Sequence, residues 1–216
     1  MSRVFKRIFS FNKIVRIFVV IDFFFNSAFG LFAPVFAIFI LDQIVGGSAK
    51  VAGLAAASYW VTKSVFQLPI ANFLDKTDGE RDDFWALFFG YLLSSLVPLL
   101  YILAREPVHL YLIQAFLGFC MAWAVPAWYG IFTRHLDSGH ISFEWSLQSV
   151  FSVGIATSAA TAIGGYVADI WGFEILFIAA SILIFVSALL LLLVRKDMKP
   201  LQPSTKIVPE RPSHHL

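Results

Sequence analysis

Two ionisable residues, Asp22 and Lys63, stand inside long apolar runs of this 216-residue chain. A charge at bilayer depth costs ~2.5–3.5 kcal/mol on insertion scales, so it should face a bundle interior, a water-filled path or a partner. Asn26 follows Asp22 by about one helical turn, so the two share a face. The functional reading of Asp22 is a solute or proton site. The alternative is a carboxylate near the aqueous interface, hydrated or paired with Arg16. Lys63 sits mid-run, too deep to snorkel comfortably. Tyr59, Lys63 and Gln67 recur at four-residue spacing, which makes one polar stripe on a helix. Lys63 can bind an anionic solute group, pair with Asp22, or mark a polar contact with a partner.

Other residues fall into weaker patterns. Gln148 and Ser152 are four apart and can line a cavity from one helix face. They belong to a run rich in Ser, Thr, Ala and Gly that ends in Gly164 and Gly165, which reads chiefly as a close-packing surface. His135, Asp137, His140 and Glu144 crowd one connector, but HLDSGH has no ligand spacing, so no metal site is expected. His214 and His215 near the chain end are weaker still. Cys120 is the single cysteine, which rules out a disulfide within the chain. There is no G-x-S-x-G, nucleotide-binding loop or H-E-x-x-H. No enzyme chemistry, cofactor or nucleic-acid partner is expected.

These residues must be held by membrane helices. The chain is 59% hydrophobic and 14% charged, with mean hydropathy +0.79. Soluble domains lie nearer half apolar and a quarter charged. A bilayer core of ~30 Å needs about 20 apolar residues per helix. The stretches Val15–Leu41, Val51–Leu74, Phe84–Ala104, Val108–Thr133, Trp145–Ala168 and Ile175–Val194 each qualify. The first is too long for a cleaved signal and reads as a retained helix. Trp85, Tyr111 and Trp171, near helix ends, suit interfacial anchoring.

Lys and Arg cluster on alternate connectors. Arg3, Lys6, Arg7, Lys13, Arg16, Lys76, Arg81, Arg134 and the tail cations fall on one side; Lys50 and Arg105 fall on the other. Both termini are therefore expected in the cytoplasm. The chain divides into a basic N-terminus (1–14), a six-helix domain (15–198) and a polar, Pro-containing tail (199–216) expected to be disordered. The connectors IANFLDKTDGERDDF and IGGYVADIWGFEILF resemble each other, and Pro34 has a counterpart in Pro126. The offset of roughly 93 residues implies two inverted three-helix units, an architecture of secondary transporters.

The chain resembles one six-helix half of the major facilitator superfamily, of the N-terminal type. The family carries G-x-L-A-D-R-x-G-R-K between its second and third helices; here Ala71–Asp82 reads ANFLDKTDGERD. Asp75 and Lys76 match the acidic and basic positions, Gly79 the turn glycine displaced by one residue, and Arg81 the basic end. Ala71 replaces the leading glycine. By this resemblance the segment Asp75, Lys76, Gly79, Arg81 and Asp82 is a cytoplasmic gating loop, with Asp75 and Arg81 latching neighbouring helices. Asp82 and Asp83 also suit the N-terminus of the following helix. Gln114, in QAFLGF, replaces an arginine tied to proton coupling, and Ala160-Thr161 replaces a Gly-Pro pair before Gly164-Gly165; both departures count against proton antiport.

The resemblance implies an all-α membrane transporter that moves a small-molecule solute by alternating access. Asp22, Asn26, Tyr59, Lys63, Gln67, Gln114, Gln148 and Ser152 would line its cavity. One half supplies one wall of such a path, so a homodimer, a separately encoded second half or a truncated transporter is expected. The setting would be the plasma or inner membrane. A membrane interaction or assembly subunit that does not transport is the alternative.

Overall fold

A computed structural model describes residues 12–200 and 202–203 of the chain. Residues 1–11 of the expected basic N-terminus (1–14), with Arg3, Lys6 and Arg7, and the tail residues 204–216, with Lys206, Arg211, His214 and His215, lie outside the described residues.

Each helix begins where the chain supplies a cap or a turn. Helix α1 (Lys13–Gln43) starts behind Asn12, whose side chain accepts the Ile14 N–H at 2.9 Å. Pro34 lacks an N–H, and the helix tightens into a 3₁₀ turn over Ala33–Val35 before resuming as Phe36–Gln43. Helix α2 (Ala49–Leu74) is capped by the Ser48 hydroxyl, which accepts the Val51 N–H. Helix α3 (Arg81–Leu103) follows Gly79, whose φ of 131° suits a glycine, and opens with Asp82 and Asp83 in its first turn. Helix α4 (Pro107–Arg134) has proline at its start, where no N–H is needed, and Glu106 and His109 cap it reciprocally.

Four helices among the described residues are long and apolar enough to cross a membrane: Lys13–Gln43, Arg81–Leu103, Pro107–Arg134 and Ile141–Asp197. Helix α2 is 26 residues long but is diluted by Ser58, Thr62, Lys63, Ser64 and Gln67. The last stretch, 57 residues, would measure ~85 Å if straight, far more than a bilayer. It is not straight. Gly172 has φ 82° and ψ 174°, which breaks the helix into α5 (141–171) and α6 (173–191). Ser152 of α5 donates to the Val19 carbonyl at 2.8 Å, and Ser187 of α6 donates to the Ile21 carbonyl at 3.0 Å. Two residues so far apart in sequence reach the same turn of α1 only if the chain folds back at Gly172. The expected connector DIWGFE is thus mostly helix, and the reversal falls on its glycine.

The helix ends sort into two groups. At one end Asn12 bonds to Asp137, Lys13 pairs with Asp197 at 2.8 Å, and Glu80 meets Arg134 and Lys199. At the other end the Val45 N–H donates to the Arg105 carbonyl at 2.8 Å. The cation-rich connectors therefore share one end, and the connectors with Lys50 and Arg105 share the other.

Helix α1 packs along α5 and α6, α2 along α4, and α3 against α4 and the α5–α6 pair. Glycine sets the two closest seams. A Cβ on Gly164 would fall 1.9 Å from the Leu31 carbonyl oxygen, and one on Gly118 would fall 2.5 Å from that of Tyr59. Such backbone approach is how helices gain van der Waals contact in a solvent as apolar as their side chains.

The tail is not free at its start. Glu80 N–H donates to the Lys199 carbonyl at 3.1 Å, Lys199 N–H donates back to the Glu80 carboxylate, and strand β1 (Thr77–Asp78) pairs antiparallel with β2 (Gln202–Pro203). The expectation of disorder from 199 onward is corrected for these residues, because the backbone groups of the α2–α3 connector find their partners there.

Candidate functional site

Asp22 is 4% exposed and gathers donors from three other helices. Its Oδ1 accepts from the Tyr91 hydroxyl of α3 at 3.2 Å and the Trp128 indole N–H of α4 at 3.0 Å. Its Oδ2 accepts from the Gln148 amide of α5 at 3.0 Å. No ion pair joins Asp22 to any described residue. Each of these groups would be costly if left unpaired away from water, so the hub ties α1, α3, α4 and α5 together.

Beside the hub lies an open cavity of about 180 Å³ whose walls include Asp22, Phe25, Asn26, Tyr91, Trp128 and Tyr129. Phe25 stacks on Tyr91 with ring centroids 4.0 Å apart. Trp128 and Tyr129 meet edge to face at 5.2 Å. Asn26 turns its amide back to the Asp22 carbonyl at 2.9 Å. Ser152, one turn beyond Gln148, is spent on the Val19 carbonyl and fixes α5 to α1. Asp22, Asn26 and Gln148 thus converge, and the sequence reading missed Tyr91 and Trp128. Their signal was position: a hydroxyl or indole N–H far from a helix end needs a partner inside the bundle.

The other expected cavity residues lie elsewhere. Tyr59, Gln67 and Gln114 are half-buried and do not border the cavity. Lys63 does not pair with Asp22. Its ammonium lies 5.0 Å from the Trp60 ring centroid and 5.8 Å from that of Tyr59, and no described carboxylate is within ion-pair reach. Helix α2 packs on α4, which leaves α1 and Asp22 on the far side of that seam.

A second polar cluster closes the end of the bundle that holds both described chain ends. Arg134, at the last turn of α4, pairs with Glu80 at 3.3 Å and with Asp83. His135 Nδ1 lies 3.5 Å from Glu80 and 2.9 Å from the Ile131 carbonyl. Glu80 is fully buried and Asp83 is 5% exposed. The expected latch residues Asp75 and Arg81 lie outside this cluster. Asp75, Lys76 and Arg81 are exposed, Lys76 rests over the Phe73 ring, and neither Asp75 nor Arg81 reaches an ionic partner among the described residues. Asp82 accepts the Asp83 N–H at 2.9 Å within the first turn of α3. The reason is helical phase: Glu80 and Asp83 are three residues apart and face α4, whereas Arg81 and Asp82 turn away. Asp137 and Glu144 are joined by one backbone hydrogen bond, and Asp137 also accepts from Asn12, so these acids tie connectors together.

No curated protein matches the chain. The sequence does match the Major Facilitator Superfamily over residues 18–214, which takes in the Asp22 hub, its cavity and the Arg134 cluster. Apolar helices in a multi-pass array, a buried polar hub and this match over nearly the whole length together establish that the chain belongs to the Major Facilitator Superfamily.

Proposed function

We propose that the chain is one six-span half of a secondary transporter, built as two inverted three-helix units, which carries a small solute by alternating access. The observation that carries this reading is the open cavity at Asp22, walled by helices from both units. The reciprocal seams support the repeat: α1 packs on α5, and α4 packs on α2. The fold-back at Gly172 and the sorting of helix ends support six crossings. On the charge rule, the end holding Arg134 and Lys199 is cytoplasmic, with both termini there, in a plasma or inner membrane. The open side of the cavity would be closed by a second copy, a separate half or a continuation of this chain. The reading assigns no enzymatic step: binding and rocking of the halves suffice.

Lys63 belongs to this proposal as a residue facing the seam with the other half or the aqueous path, because lipid exposure of its ammonium is costly. The test is a Cys120→Ser background carrying Lys63→Cys in proteoliposomes, treated with a water-soluble thiol reagent. Labelling is expected. Protection under every condition would overturn the reading and favour a subunit that assembles without transporting.

A further inference from the structure

A groove of about 360 Å³ runs between α1 and α6, at the end of the bundle where Lys13 meets Asp197. Its walls are Lys13, Arg16, Ile17, Val20, Leu190 and Leu193. The four residues from α1 recur at helical spacing and form one stripe. Val20 precedes Asp22 by two residues, about 200° around the helix, so the stripe faces away from the Asp22 cavity. The Ser187 hydroxyl, on the Ile21 carbonyl at 3.0 Å, holds α6 to α1 beside the groove. Val20 is 48% exposed and Leu193 59%, so the apolar wall stands open to the surroundings of the bundle. Around a chain that crosses a bilayer, those surroundings are lipid.

The walls change character along the groove. Lys13 opens α1 and Arg16 follows within one turn, whereas Val20 lies about 10 Å farther along the axis than Lys13. That distance leads from a headgroup layer into the hydrocarbon beneath it. A free phosphate has no use for the apolar length, and a bare alkyl chain has none for the cations. The half-buried Arg16 carries a planar guanidinium, which matches the oxygens of a phosphate. Lys13 is paired with Asp197 at 2.8 Å, but its ammonium has three donors. That pair is solvent-exposed, 60% and 35%, where ion pairs contribute little. Asp197 thus sets Lys13 at the mouth, which keeps two cations against one acid. The sequence points the same way. Its first 21 residues hold five cations, Arg3, Lys6, Arg7, Lys13 and Arg16, and no Asp or Glu. A basic run beside a membrane helix draws anionic lipid. We infer that the groove between α1 and α6 holds one anionic phospholipid, its phosphate on Arg16 and Lys13 and an acyl chain along Ile17, Val20, Leu190 and Leu193. The site depends on a bilayer around the helices and is independent of the solute path.

The test uses the full chain with Cys120→Ser, in nanodiscs of phosphatidylcholine. A bimane fluorophore is attached at Leu189→Cys, which is 43% exposed and one turn from Leu193. Acyl-brominated phosphatidylglycerol or acyl-brominated phosphatidylcholine is then added as quencher. The phosphatidylglycerol should quench with an apparent affinity about fivefold higher. The control site is Leu112→Cys on α4, 65% exposed, in a groove of about 310 Å³ whose walls hold no Lys or Arg. There the two lipids should quench alike. Arg16→Gln should bring the preference at Leu189 to within about twofold. Equal quenching by both lipids at Leu189, the same preference at Leu112, or a preference that survives Arg16→Gln would each overturn the inference. A further measurement needs no change at Arg16. Unbrominated phosphatidylglycerol should relieve the quenching at a lower mole fraction than unbrominated phosphatidylcholine, and inorganic phosphate should not relieve it. Relief by inorganic phosphate would assign the cations to a free anion and overturn the lipid site, as would equal relief by the two lipids.

Discussion

The Asp22 hub and the Arg134 cluster both bury acidic side chains, but they solve the problem in opposite ways. At the bundle end, Glu80 and Asp83 are matched by the guanidinium of Arg134, and the tail backbone takes a further Glu80 oxygen. Inside the bundle, Asp22 receives uncharged donors and has no ionic partner among the described residues. A carboxylate paired with arginine is committed to holding two helices together. A carboxylate held by neutral donors is oriented but still attracts positive charge. Burial is thus common to both sites, and the charge on the partners is what differs between them.

The largest effect expected from this contrast is at Arg134. Arg134→Ala leaves two buried carboxylates facing each other. Removing one partner of a buried pair costs ~3–5 kcal/mol, and the partial exposure of Arg134 lowers the expectation to about 2–4 kcal/mol. Denaturant or thermal unfolding in detergent micelles checks it. A cost no greater than that of Asp22→Asn would erase the distinction between the two sites.

An intermediate effect is expected from Gly164→Ala. The added methyl cannot fit against the Leu31 carbonyl, so α5 must move off α1. Overpacking of this kind costs about 1–3 kcal/mol. It should also stretch the bond from Gln148 to Asp22 while leaving the Arg134 cluster intact. The neighbouring Gly165 has open space around it, so Gly165→Ala should shift stability by no more than about 0.5 kcal/mol. Parallel unfolding curves for the two variants separate helix spacing from helix propensity, and so isolate what the hub owes to the α1–α5 seam.

The smallest effect on stability is expected at Asp22→Asn. The amide keeps an acceptor for Tyr91 and Trp128, and Gln148 can turn its own carbonyl toward the new NH₂. Loss of charge-assisted hydrogen bonds and relief of a buried charge oppose each other, for a net change within about 1 kcal/mol. Thermal unfolding of Asp22→Asn beside the parent chain in one detergent preparation checks it.

Much of the fold was legible before any coordinate. The apolar runs mark the helices within a few residues, because twenty apolar positions in a row have no other economical use than a span or a core. Asn12, Ser48, Pro107 and Gly79 announce helix ends through caps, a missing N–H and a turn conformation. The site was only partly legible. Asp22, Asn26 and Gln148 stand out because polar groups in apolar runs are costly. Nothing in the spacing along one helix marks Tyr91, Trp128 or Glu80, because the phase of α3 relative to α4 is not written there.

The order of residues along the chain therefore dictates local matters: which segments are helical, where they start, and which face of each carries its polar groups. These follow from the fixed periodicity of the helix and the cost of unpaired groups in an apolar solvent. Which faces meet was settled only by packing in three dimensions. Gly164 against Leu31 and Gly118 against Tyr59 set the distances between helices, and those distances bring Asp22 to Gln148 and keep it from Lys63. The chain reversal at Gly172 then carries Ser187 back to α1. Helix pairing depends on close backbone contact between residues far apart in sequence, a quantity that no single-helix pattern contains.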